Sequence, residues 1–234
     1  MRILAFETSA KAAGVALLQD GMLLGEYMQN SGQTHSRTLL QMAQDLLKNC
    51  DLQPSDVDAV ACAAGPGSFT GVRIGLAAAK GFAWGREIPL IGVSTLEAMA
   101  KCVAVAEGIY CAAMDARRDQ VYTATFAQKD GQFIRLTEDR AISLAELGAH
   151  LSTLSGEKYL VGDGAALCHR NLSGQVAQLQ LLPEHLRMQR ASGVALLAWE
   201  QLQAGGLPAA AEVQPNYLRL SQAERERQKK LAME

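Results

Sequence analysis

Little in this sequence suits it to grip a nucleic acid or to sit in a membrane. Aromatic residues make up only 5% of the 234 residues, and the formal net charge is −2. Nucleic-acid binding rests on clustered Lys and Arg that neutralise phosphates, and a single-strand surface needs aromatic faces on which bases stack. Any RNA contact is therefore expected to come mainly from a partner. No run of about eighteen uncharged apolar residues occurs, the length a membrane-spanning helix needs. Glu7 interrupts the apolar opening Ile3-Leu4-Ala5-Phe6 before a signal-peptide core could form, so a cytoplasmic protein without a membrane contact is expected.

Metal and redox chemistry are equally poorly provided for. The five cysteines, Cys50, Cys62, Cys102, Cys111 and Cys168, are odd in number, widely spaced and form no C-x-x-C. That excludes a disulfide framework or a zinc site and leaves reduced thiols. His35, His150, His169 and His185 include no i, i+4 pair, and H-E-x-x-H is absent. No metal and no cofactor is expected. The phosphate loop G-x-x-x-x-G-K-S/T and the hydrolase elbow G-x-S-x-G are both missing, and no residue is assigned a catalytic role.

What is present is an α/β pattern. Residues 2 to 6, 14 to 19 and 22 to 28 read as three strands, the last two joined by the hairpin turn Asp20-Gly21. A helix over 34 to 50 places Leu39, Ala43, Leu46 and Cys50 on one face, with Leu40 and Leu47 beside them. A strand over 57 to 64, a helix over 71 to 85, a strand over 89 to 94 and a helix over 95 to 106 follow. From Gly108 the pattern restarts: strands over 109 to 114, 120 to 127 and 132 to 137, a helix over 143 to 152 capped by Ser143, and a strand over 159 to 162. An apolar helix spans 191 to 203. This divides the chain into residues 1–107, a smaller second domain over 108–220, and a charged tail over 221–234 holding Glu224, Arg225, Glu226, Arg227, Lys229 and Lys230.

Three segments could carry function. Thr8 and Ser9, after the first strand, could offer hydroxyls and amides to a phosphate. The run Gly65-Pro66-Gly67-Ser68-Phe69-Thr70-Gly71 joins a strand to a helix, where phosphates bind, but it misses G-x-G-x-x-G by one position. A tight turn is the plainer reading. In the helix that follows, Gly71, Gly75, Ala78 and Phe82 share one face, and Val72, Leu76, Ala79 and Ala83 make a second. Each internal glycine costs about 1 kcal/mol against alanine, so something must approach closely at Gly75 and Gly81. Either the chain's own sheet or a protein partner would satisfy this, and the two apolar faces exceed what one sheet needs.

The openings Arg2-Ile3-Leu4-Ala5-Phe6-Glu7-Thr8-Ser9 and His35-Ser36-Arg37-Thr38-Leu39-Leu40, with the run from Gly65 to Gly75, resemble those of the TsaB (YeaZ) proteins. The resemblance extends over essentially the whole chain and is densest in the first hundred residues. It implies an actin-like, sugar-kinase-like ATPase (ASKHA, ribonuclease H-like) fold with a reduced second domain. It also implies a non-catalytic subunit that supports a TsaD-type transferase, joined by a TsaE-type ATPase. That assembly moves threonylcarbamoyl from its adenylate to the adenine beside the anticodon in tRNAs reading codons that begin with A. TsaD-type relatives carry an H-x-x-x-H metal pair where this chain has Thr95 and Met99, neither a suitable ligand. The resemblance further implies a homodimer through the same two helices. The expected partner face is Leu39, Leu40, Ala43, Leu46, Leu47, Gly71, Val72, Gly75, Leu76, Ala79 and Phe82. Thr8, Ser9, Gly65, Gly67, Gly162 and Gly164 would be a vestigial nucleotide site. The alternatives are an independent ATPase or kinase of this fold, a protease-like activity, or a direct RNA-binding module.

Overall fold

The computed structural model describes residues 1–205 and 212–219. The charged tail inferred over 221–234 lies outside them. The first half runs β1 (Arg2–Glu7), β2 (Ala13–Gln19), β3 (Met22–Gln29), α1 (His35–Asn49), β4 (Ala59–Gly65), α2 (Phe69–Arg86), β5 (Leu90–Ser94) and α3 (Thr95–Val103). The second half runs β6 (Gly108–Asp115), β7 (Gln120–Lys129), β8 (Gln132–Arg135), β9 (Arg140–Ser143), α4 (Leu144–Ser152), β10 (Lys158–Val161), α5 (Ala165–Leu172), β11 (Leu179–Leu181), α6 (Glu184–Arg187) and α7 (Ala191–Gln203).

The two halves repeat one topology. The first sheet has strand order β3-β2-β1-β4-β5 and the second β8-β7-β6-β10-β11, with β9 also on β7. In each, the first three strands form an antiparallel meander and the next two add in parallel. The hairpin turns follow the expected chemistry: Asp20 and Gly21, then Asp130 and Gly131, all sit at positive φ. Ser143 caps α4 and forms a reciprocal capping box with Glu146. The second half is reduced in strand length: β10 and β11 hold four and three residues against seven and five in β4 and β5.

The division at residue 107 needs correction, because each half lends its last helix to the other. The outer face of the first sheet is covered by α1 and α2, which supply Leu39, Leu46, Leu76 and Ala83 to a core with Leu4, Phe6 and Val60. Its inner face is covered by α7, whose Ala191, Val194, Ala195 and Ala198 pack against Ile3, Ala5, Ala61 and Ile91. Conversely, α3 places Leu96, Met99 and Val103 on the second sheet against Tyr110, Ala112 and Phe126. The far side of that sheet is closed by α4 and α5 through Leu147, Leu151 and Cys168. Residues 191–203 therefore belong physically with the first sheet, since their apolar side chains are buried there.

The two exchanged helices cross at Gly193. A Cβ there would lie 2.2 Å from the Ala98 carbonyl oxygen and 2.7 Å from Cys102 Sγ. Backbone cannot yield that far without shifting a helix. Gly193→Ala is expected to lower stability by about 1–3 kcal/mol, read from urea midpoints. Gly81→Ala is the matched control: a Cβ at Gly81 meets nothing within 4 Å, so it should stabilise by about 0.5–1 kcal/mol through helix propensity alone.

Candidate functional site: an interdomain cleft and an outward helix face

The ends of β1, β4, β6 and β10 converge on a cleft of about 900 Å³ between the two halves. Its walls hold Ser9, Lys11, the 66–70 turn, Asp115, Arg117, Asp163, Arg187 and Gln189, with residues 216–219 along one side. Acids and bases are mixed there, and among the described residues no cluster of three His, Cys, Asp or Glu could hold a metal ion.

Of the residues expected to serve a phosphate, Thr8 packs against α2, whereas Ser9, Gly67 and Gly162 line the cleft. Thr8 Oγ1 donates to the Gly71 carbonyl at 2.8 Å, and its hydroxyl lies where a Cβ on Gly75 would come within 2.2 Å. Thr8 thus faces α2 and braces it, which corrects the expectation that it faces a nucleotide. It also explains the glycines of α2: a Cβ on Gly71 would lie 2.1 Å from the Thr8 carbonyl oxygen. Ser9 does line the cleft, but its carbonyl accepts the Ser68 amide at 2.6 Å. The glycine pairs 65/67 and 162/164 are the same device in the two halves. Gly65 and Gly162 leave β4 and β10 at φ of 109° and 106°, the region that favours glycine. Gly67 then lies against the Ser9 carbonyl and Gly164 against the Asp115 amide, with Cβ clearances of 2.5 and 2.8 Å. Each pair locks a parallel strand end onto its neighbour and leaves those backbones in contact. Gly67 and Gly162 both line the cleft.

One carboxyl group, Asp163, lines the cleft, and a second, Glu7, is buried within reach of its charge. Glu7 is 1% exposed, and its Oε1 accepts the Ser9 amide at 2.6 Å. Burial pushes its pKa up to about 7, with hydrogen bonds from Ser9 pulling down and the Asp163 charge adding to the rise. Burial also raises Asp163, whose Oδ1 accepts from Gln189 Nε2 at 2.9 Å. On α3, Thr95 and Met99 are buried, and Met99 belongs to the second-sheet core.

The partner face drawn from sequence also needs correction. Leu39, Ala43, Leu46, Leu47, Val72, Leu76 and Ala79 fill the chain's own core, and Gly71 and Gly75 are buried beneath Thr8. Phe82 is half-buried at the core edge. Of the expected positions on α1, Leu40 is the one left exposed, at 58%. The outward surface of α2 is a different row, Arg73, Ala77, Gly81 and Trp84, all exposed, with Trp84 at 84%. Its spacing of four, four and three residues marks one helix face. Periodicity alone missed it because three of the four are small or charged.

The buried Glu7 sets a pH dependence. Below its ordinary value of 4.5 the carboxyl is protonated folded or unfolded; between there and about 7 only the unfolded chain releases the proton. Stability should therefore fall by up to about 3 kcal/mol across that window and be flat above it for this group. Denaturation of Glu7→Gln against the parent at pH 4.5, 6 and 8 checks this. The parent should lose stability relative to the variant as pH rises.

Comparison with known proteins accords with this geometry. Residues 28–226 match the family model described as "TsaD: tRNA N6-adenosine threonylcarbamoyltransferase". A tRNA threonylcarbamoyladenosine biosynthesis protein TsaB from Escherichia coli is 39% identical over 70% of this chain and 72% of its own. The TsaB of Bacillus subtilis is 38% identical over 62% of this chain, a match spanning 64% of that protein, under two thirds of its length. A Pseudomonas aeruginosa crystal structure, described as similar to the peptidase YeaZ, superposes with a TM-score of 0.81 at 28% identity, over 93% of this chain and 99% of that one. The component A of an Acidaminococcus fermentans 2-hydroxyglutaryl-CoA dehydratase, TM-score 0.51 at 12% identity, shares the fold alone. The repeated sheet, the exchanged helices and these likenesses place the chain in the actin-like ATPase (ASKHA) fold, and by sequence it belongs to the TsaB (YeaZ) family.

Proposed function

We propose that this chain is a non-catalytic subunit in tRNA threonylcarbamoyladenosine formation, docking through the exposed surface of α1 and α2 onto a TsaD-type transferase. A TsaE-type ATPase joins the pair, and tRNA is engaged through the complex. The same surface serves a homodimer, so the two associations compete. The setting is the cytoplasm; among the described residues no helix is long and apolar enough to cross a membrane. The observation that carries the docking reading is the outward row of α2. A tryptophan 84% exposed beside two small residues, Ala77 and Gly81, is unfavourable in water and suits close helix approach. Tryptophan and arginine are the residues most often found at the energetic centre of an interface. A supporting role without chemistry agrees with the internal use of Thr8, whose hydroxyl is spent on the Gly71 carbonyl. That contact weighs against an independent ATPase or kinase.

Light-scattering mass of the pure chain, alone and mixed with a TsaD-type partner, tests this. A dimer that gives way to a one-to-one heterodimer is expected. Trp84→Glu should weaken both associations by tenfold or more, about 1.4 kcal/mol, while the unfolding midpoint stays within about 0.5 kcal/mol of the parent. A monomer that ignores the partner would overturn the reading.

A further inference from the structure

Residues 212–219 have no regular secondary structure, yet they tie the two halves together. Val213 is buried in the first-sheet core against Gly92. The Asn216 amide donates to the Ala64 carbonyl near the end of β4 at 2.7 Å. Tyr217 stacks on Phe69 with ring centroids 4.7 Å apart. Arg73 lies 3.7 Å over the same Phe69 ring, and its Nε donates to the Tyr217 hydroxyl at 2.7 Å. Two residues on, Arg219 reaches the second half, where its Nη1 donates to the Ala116 carbonyl at 2.5 Å and the Arg117 carbonyl at 3.4 Å.

The turn that Arg219 holds is a strained one. Arg117, Arg118 and Asp119 sit in succession at φ of 65°, 59° and 55°. Non-glycine residues adopt that conformation only where surrounding contacts maintain it. This turn and residues 216–219 both line the cleft, so the segment bridges one wall to the other. Its anchor at the near end, Arg73, belongs to the outward row of α2.

We propose that residues 212–219 are a releasable strap across the cleft, with Arg73, Phe69 and Tyr217 as its catch, and that a partner seated on α2 works the catch. The second clause rests on the docking reading above. Arg73 meets the strap at Tyr217 alone, through the neutral hydroxyl and over the ring face at 5.5 Å, on an exposed surface and with no charged partner there. A carboxylate of the partner would bind the guanidinium fork through two charge-assisted hydrogen bonds and out-compete it. With Tyr217 released, Arg219 loses its position, the 116–120 turn relaxes, and the cleft opens.

Hydrogen–deuterium exchange on the full chain tests both clauses. Tyr217→Ala should raise amide exchange about tenfold in 212–219 and in 116–120 together, leaving β1 and α7 unchanged. Arg219→Ala should raise it at 116–120 while Val213 and Asn216 keep their protection. Adding a TsaD-type partner to the parent chain should reproduce the Tyr217→Ala pattern. Unchanged exchange at 116–120 in both variants overturns the strap. A heterodimer seen by light scattering that leaves 212–219 unaltered or slower overturns the coupling while the docking reading stands. If no heterodimer forms, the docking reading and the coupling both fail, and the two variants of the isolated chain still decide the strap.

Discussion

The crossing of α3 and α7 at Gly193 is the contact on which the rest of this molecule hangs. Each sheet has its own two helices outside and needs a third layer inside. The third helix comes from the other half: α7 on the first sheet, α3 on the second. Neither half can complete its core alone, so the two halves are one cooperative structure although each repeats the same strand order. The exchange brings the helix backbones into contact, and only a residue without a Cβ fits beside the Ala98 carbonyl.

The position of both candidate surfaces follows from that crossing. Fixing the inner faces of the sheets together brings the carboxyl ends of β1, β4, β6 and β10 to one cleft, the usual location of ligand sites in such sheets. Here the two glycine turns lock strand end to strand end, and Thr8 braces α2. The outer helices α1 and α2 lie on the far side of the first sheet from the crossing, so their outward surface faces away from it. Leu40, Arg73 and Trp84 lie there.

Much of the architecture was legible in sequence because its signals are local. The Asp-Gly turns, the Ser143 cap and the apolar stripes of α1 and α2 each report on a few neighbouring residues. The glycines of α2 signalled a close approach, which Thr8 makes at Gly75; Gly81, given the same reading, meets nothing within 4 Å. What could not be read is tertiary. Leu40 and Leu47 lie seven residues apart on one helix stripe, yet Leu47 is covered and Leu40 is open. Leu52 and Val57 close over the core at one end of α1 only. The apolar pattern of α7 announced burial without saying on which sheet. The short α5 was missed because its N-cap, Gly164, offers no side-chain signal. Trp84 falls off the apolar stripe, so periodicity passed over the largest exposed side chain of α2.

The central claim is that this chain promotes a partner's chemistry by docking and performs none itself. Its most direct test is a reconstitution that measures threonylcarbamoyladenosine formed in tRNA, with threonylcarbamoyl-adenylate supplied. The TsaD-type partner should gain activity when this chain and a TsaE-type ATPase are added, and should lose most of that gain when Trp84→Glu replaces the parent. This chain without the partner should form none. Modified tRNA produced by the chain on its own, or full stimulation by the Trp84→Glu variant, would contradict the account.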